Sequence, residues 1–81
     1  MSSGKSKKVT IKVMGEEYVI RSPSSREHML EVGEYVNNLM QQLAERYPRM
    51  SLQKIAVLCC LNLASDLLTL QKKNKKNKGD S

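Results

Sequence analysis

A single histidine, two adjacent cysteines and a scatter of carboxylates are the side chains of this 81-residue chain that invite a chemical role. His28 would act as a general base or a metal ligand, but no cysteine or carboxylate pair joins it at ligand spacing in one helical phase. It therefore reads as a surface residue in the first turn of a helix. Cys59 and Cys60 would form a redox pair, yet neighbours on a helix diverge by about 100° and do not meet disulfide geometry. Both read as small buried hydrophobes. Glu16 and Glu17, and the later Glu27, Glu31 and Glu34, are spaced as solvated surface. No glycine-rich phosphate loop, nucleophile elbow or metal motif is present. The chain is expected to be no enzyme and to take no cofactor and no metal, which leaves binding and assembly.

The charge pattern narrows the binding partners. With 14 Lys plus Arg against 8 Asp plus Glu the formal net charge is +6. Residues 1–12 and 71–81 each carry +4, while the centre carries −2. A nucleic-acid-binding domain gathers its bases on one folded face. Here they lie in low-complexity ends, so 1–8 and 71–81 are expected to be solvated basic tails around a folded region, 9–70, and no specific nucleic-acid partner is expected. The start, MSSGKSKKV, has no apolar stretch behind it, and no apolar run approaches the roughly 20 residues that cross a bilayer. Two cysteines make no disulfide framework. A cytoplasmic protein without membrane contact is expected.

The alternation in VTIKVMGEEYVIR, residues 9–21, predicts a β-hairpin turning at Gly15-Glu16, with glycine first in a type II′ turn. That register opposes Met14 to Glu17, Val13 to Tyr18, Lys12 to Val19 and Ile11 to Ile20. It gathers Val9, Ile11, Val13, Tyr18 and Ile20 on one face. Two strands alone are marginal in water, so the hairpin must lie on helices or pair with another chain. Ser24 to Glu27 fits a capping box for a helix over about 25–46. Met29, Val32, Val36, Leu39 and Leu43 form its stripe, Tyr35, Met40 and Tyr47 widen it, and Pro48 ends it. Gly33 costs that helix up to about 1 kcal/mol relative to alanine, which a close approach of another backbone would explain, as would drift.

Ser51 is the expected cap of a second helix, from Leu52 past Leu70 and continuing weakly into QKKNKK. The fold class is thus α+β: an N-terminal β-hairpin packed on two α-helices. IAVLCCLNLA, residues 55–64, is apolar on every side except at Asn62, and such a helix must be covered on every side. One helix and a hairpin cover about half of it. Each large aliphatic left in water forgoes roughly 1.5 to 3 kcal/mol, so self-association is the economical solution. Ala56, Cys60, Leu63, Leu67 and Leu70 repeat with the 4, 3 spacing of a short coiled coil, and Ile55 and Asn62 complete the expected oligomer interface. Asn62 bonds backbone of the hairpin, pairs with its copy across a two-fold axis, or meets a partner directly.

In combination, the hairpin VTIKVMGEEYVIRSP and the segment KIAVLCCLNLASDLL resemble the ZapA family of bacterial cell-division proteins, over roughly residues 9–70. The resemblance implies an adaptor at the division site that binds FtsZ, the tubulin-like division GTPase, and promotes bundling of its protofilaments in the Z-ring. It also implies a dimeric head, with a coiled coil that joins dimers into tetramers. Longer members continue the second helix for several turns. Residues 52–73 give only about 33 Å of helix, so a dimer and a compact tetramer both remain open. By position, Glu16 and Glu17 at the hairpin tip and Arg46, Arg49, Gln53 and Lys54 between the helices fall where the head should meet FtsZ.

The alternative is a ribbon-helix-helix DNA-binding dimer, which shares strand, helix, helix and basic balance. That fold takes one strand from each chain, whereas Gly15-Glu16 makes two. Glu17 and Met14, on the outward strand face, are poor readers of base edges.

Overall fold

The computed structural model describes residues 7–79. Its elements are β1 (Lys7–Val13), β2 (Glu16–Ser22), α1 (Arg26–Arg46) and α2 (Leu52–Gly79). The two strands form one antiparallel sheet, the hairpin lies on α1, and α2 packs along α1. Two strands from one chain depart from the ribbon-helix-helix pattern.

The hairpin register differs from the sequence expectation by two residues. Val13 opposes Glu16, Lys12 opposes Glu17, Ile11 opposes Tyr18 and Val9 opposes Ile20. A two-residue step preserves the faces, so Val9 and Ile11 still point inward, where both are buried. The turn residues are Met14 and Gly15, with φ of 53° and 83°. Positive φ at both central positions is the type I′ signature, not type II′. The Met14 N–H donates to Asn37 Oδ1 of α1 at 2.7 Å, so the turn is fastened to the helix as well as to itself. The Lys7 and Lys8 backbone, expected in the tail, pairs with Ser22 and Arg21.

Gly33 sits where the hairpin crosses α1. A Cβ there would fall inside contact distance of Ile11 Cγ2, and would lie 3.4 Å from Ile11 Cβ and Cδ1. The close approach is that of a side chain.

Ser25, not Ser24, caps α1: its Oγ accepts from the His28 N–H at 3.1 Å. The Ser24 backbone N–H donates to the buried Ser22 Oγ at 3.0 Å. At the far end Tyr47 leaves the helical region (φ −124°, ψ 70°), as a residue before proline does. Its N–H still donates to Leu43 O. Ser51 caps α2 as expected, with the Lys54 N–H donating to its Oγ at 3.2 Å.

Met40 and Leu43 of α1 meet Ile55 and Cys59 of α2 in the main core, which Val36, Leu39, Leu58 and Leu63 flank. Val32 and Tyr35 of the expected α1 stripe stay exposed. The hairpin crosses the helix at Gly33, α2 packs at Met40 and Leu43, and Val13 and Met14 of the hairpin end reach the same core.

The second helix is longer than its sequence suggested. It has 28 residues, about 42 Å at 1.5 Å per residue, so backbone expected in the tail from residue 71 is helical to Gly79. Leu52–Asn74 is also long and apolar enough to cross a membrane by length and composition, contrary to expectation. Its leucines are interleaved with Asn62, Ser65 and Asp66, so no continuous run announces it. The radius of gyration is 16.0 Å, against about 12 Å for a compact chain of this length. An outstretched α2 accounts for the excess.

Candidate functional site

No enclosed constellation of reactive groups appears among the described residues, and no cluster of His, Cys, Asp and Glu there is arranged to hold a metal ion. His28 is an exposed first-turn residue. The cysteines differ: Cys59 is buried, whereas Cys60 is exposed, contrary to the expectation that both are interior. Burial pushes the Cys59 thiol up, and neighbouring Cys60 adds to it. A raised pKa keeps the thiol protonated and unreactive. The candidate sites are therefore surfaces, and helix phase decides what each presents.

On α2 the residues turned to α1 are Ile55 and Cys59, with Leu58 and Leu63 beside them. Ile55 is 1% exposed, which corrects its place in the expected oligomer interface: it is consumed inside the chain. Ala56 and Leu63 are half-buried on the flank, and Cys60, Leu67 and Leu70 are exposed along it. Asn62 is exposed, and its Nδ2 donates to Leu58 O one turn earlier in its own helix at 3.1 Å. Its partner is the backbone of α2 itself, not the hairpin backbone expected.

A second row escaped the sequence reading. Val57, Leu61, Ala64 and Leu68, all exposed, repeat at the same 4, 3, 4 spacing about 100° around the helix. Leu61 is 61% and Leu68 54% exposed, so this row faces away from α1. The spacing was visible in the sequence. Which row α1 would cover was not, because the helix is apolar on nearly every side.

The flank row is continuous with the open side of α1. Val32, Tyr35 and Val36 form a groove of about 340 Å³ with Leu63 of α2, edged by His28 and Glu31. Apolar surface thus runs from the middle of α1 onto α2.

The polar candidates fall into two places. Arg46, Arg49 and Lys54 come together around an open depression of about 700 Å³ at the α1–α2 corner, floored by Tyr47, Pro48 and Met50. Gln53 is not among its lining residues. It lines the next groove along α2, with Lys54 and Leu61, and another of about 470 Å³ with Met14 and Tyr18 of the hairpin. Glu16 and Glu17 are exposed at the hairpin end, where Glu17 opposes Lys12. Neither lines the corner depression or the Gln53 grooves. The charged head is therefore a cationic corner and a separate hairpin tip.

Known proteins share this fold. The family model described as "Cell division protein ZapA" matches residues 9–81. A protein of that name from Bacillus subtilis (strain 168) is 36% identical over 76 residues, covering 94% of this chain and 89% of the relative. One from Shouchella clausii (strain KSM-K16) is 35% identical over 66 residues, covering 82% of this chain and 85% of the relative. Among solved structures, a "ZapA mutant dimer from Geobacillus stearothermophilus" superposes with a TM-score of 0.82 at 25% identity, covering 99% of this chain and 93% of that one.

Proposed function

This chain belongs to the ZapA family of cell-division proteins, and from that premise we propose that it is a non-enzymatic adaptor that binds FtsZ and bundles its protofilaments as a multivalent oligomer. It works in the cytoplasm at the division site. The observation that carries the reading is the pair of exposed apolar rows on α2, with a charged corner at one end of the helix. Apolar rows at coiled-coil spacing are suited to copies of the same chain, and the solved relative is described as a dimer. With two rows about 100° apart, one copy can be held on each, which accommodates either a dimer or a compact tetramer.

Multivalency then supplies the bundling. A single head of modest affinity decorates one filament, whereas two heads on one rigid assembly hold two filaments, because the second engagement is effectively intramolecular. Ala56, Cys60, Leu63, Leu67 and Leu70 carry the assembly together with the Val57 to Leu68 row. Glu16, Glu17, Arg46, Arg49, Gln53 and Lys54 carry the filament contact. No specific nucleic acid takes part.

The deciding experiment is pelleting and light scattering of FtsZ with GTP. Wild type should bundle, and an assembly-breaking variant should still decorate filaments without crosslinking them. Absence of FtsZ binding at any salt concentration would overturn the assignment.

A further inference from the structure

The depression at the α1–α2 corner has a chemistry that its neighbours lack, and we infer that it is a docking site for an acidic peptide segment carrying an apolar anchor residue. Arg46, Arg49 and Lys54 line it, and no carboxylate does. The neighbouring grooves either hold an acid, Glu31 or Asp66, or carry at most one of these cations. Three like charges around one hollow repel each other, and an anionic ligand relieves that repulsion. The α2 N-terminus opens into the same hollow at Ser51, and its first turn contains no acid to offset the positive end of the helix dipole.

The floor selects among anions. Tyr47, Pro48 and Met50 make it apolar, and Tyr47 is 41% exposed. A free phosphate has nothing to place there, and an oligonucleotide offers planar bases to Tyr47 but no flexible aliphatic side chain to fill the hollow over Pro48 and Met50. An acidic peptide has both parts: carboxylates for the guanidinium forks and a side chain for the floor. The corner is also preorganised. The Met50 N–H donates to Tyr47 O at 3.0 Å and the Tyr47 N–H to Leu43 O at 2.9 Å, so binding orders little new backbone. That FtsZ is the protein bearing the segment rests on the reading above; the chemistry of the groove does not.

The test uses the full chain and a fluorescein-labelled synthetic peptide of about ten residues, with Asp and Glu flanking a Leu-Phe pair. Fluorescence anisotropy should show saturable binding that weakens with salt. Arg46→Glu combined with Lys54→Glu should weaken it about tenfold or more, and Met50→Ser about threefold or more, whereas Lys12→Glu on the hairpin should leave it unchanged. Circular dichroism and sedimentation report the fold of each variant, and Arg49→Gln replaces the double variant if that fails to fold. A peptide with Ser-Ser in place of Leu-Phe should bind more weakly. The inference is overturned if the acidic peptide does not bind, if Lys12→Glu weakens it as much as the corner variants do, or if labelled oligothymidylate binds more tightly. FtsZ pelleting in parallel separates the two readings. Peptide binding without FtsZ binding supports the groove and overturns the adaptor assignment; FtsZ binding without peptide binding does the reverse.

Discussion

Asn37 Oδ1 accepts the Met14 N–H at 2.7 Å, across 23 residues of sequence, and so ties the tip of the hairpin to the middle of α1. Met14 is in the left-handed region, unusual for a non-glycine residue, and the bond helps hold it there. The expected effect of Asn37→Leu follows: a half-buried N–H loses its acceptor, and stability falls by about 1 to 2 kcal/mol. Urea unfolding measures the loss, and hydrogen exchange at Met14 should quicken. Unchanged exchange would mean that the tip is held by its strands alone.

Gly33→Ala sets two effects against each other. Alanine favours the helix by up to about 1 kcal/mol, but its methyl would intrude on Ile11 Cγ2 and force the hairpin off α1, typically costing about 1 to 3 kcal/mol. Net destabilisation is expected. A double-mutant cycle with Ile11→Ala should show that the alanine at 33 is less harmful once the Ile11 branch is gone. Additivity would place the strain elsewhere.

Leu61→Glu and Leu67→Glu introduce charge at positions exposed in the single chain, in the outward and flank rows respectively. Far-UV circular dichroism should be retained. Sedimentation equilibrium should show weakened assembly for at least one of them, since a charge buried between copies costs several kcal/mol. The variant that dissociates should also lose FtsZ bundling. Wild type found as a stable monomer at micromolar concentration would refute the assembly.

Thiol chemistry should separate the two cysteines. Cys60 is open to alkylation in a dissociated chain, while Cys59 reacts only on unfolding. Because the folded Cys59 thiol is held above its ordinary pKa, the unfolded chain releases that proton first. Stability is thus unaffected below the ordinary thiol range and declines as pH rises through it toward the folded value. Cys59→Ala should flatten this alkaline slope in chemical-denaturation curves; a slope equal to wild type would assign it to another group.

The elements were legible in the sequence wherever a local rule acted alone. The faces of the hairpin followed from period-two alternation, but its register did not, since a step of two leaves every face intact. Choosing Met14-Gly15 over Gly15-Glu16 requires knowing that Asn37 waits on α1. Ser24 and Ser25 are equally good caps by type, and the extended backbone at Ser25, with its Oγ on the His28 N–H, is seen only in the fold. On α2 the apolar excess was plain, whereas its orientation was hidden: a helix apolar on all sides does not disclose which row a neighbour will take. Ile55 was assigned outward and lies inward for that reason, and the Val57 row went unnoticed. Position along the chain groups Arg46, Arg49 and Lys54 with Gln53, Glu16 and Glu17 as one mixed-charge face; that the three cations share a hollow without the others is visible only in the fold. The apolar floor that makes a groove of it depends on how the chain turns after Tyr47.

A sheet of only two strands consists entirely of edges, and edges invite further strands. Lys7, Lys8 and Lys12 on β1, with Glu16, Glu17 and Arg21 on β2, place charge along both borders. These charges are the guard that keeps such ribbons from stacking edge to edge into fibrils. Thr10, Ile11, Tyr18, Val19 and Ile20 between them are otherwise good amyloid formers by type. The lysines at the start of the chain thus discourage aggregation, a duty independent of any partner.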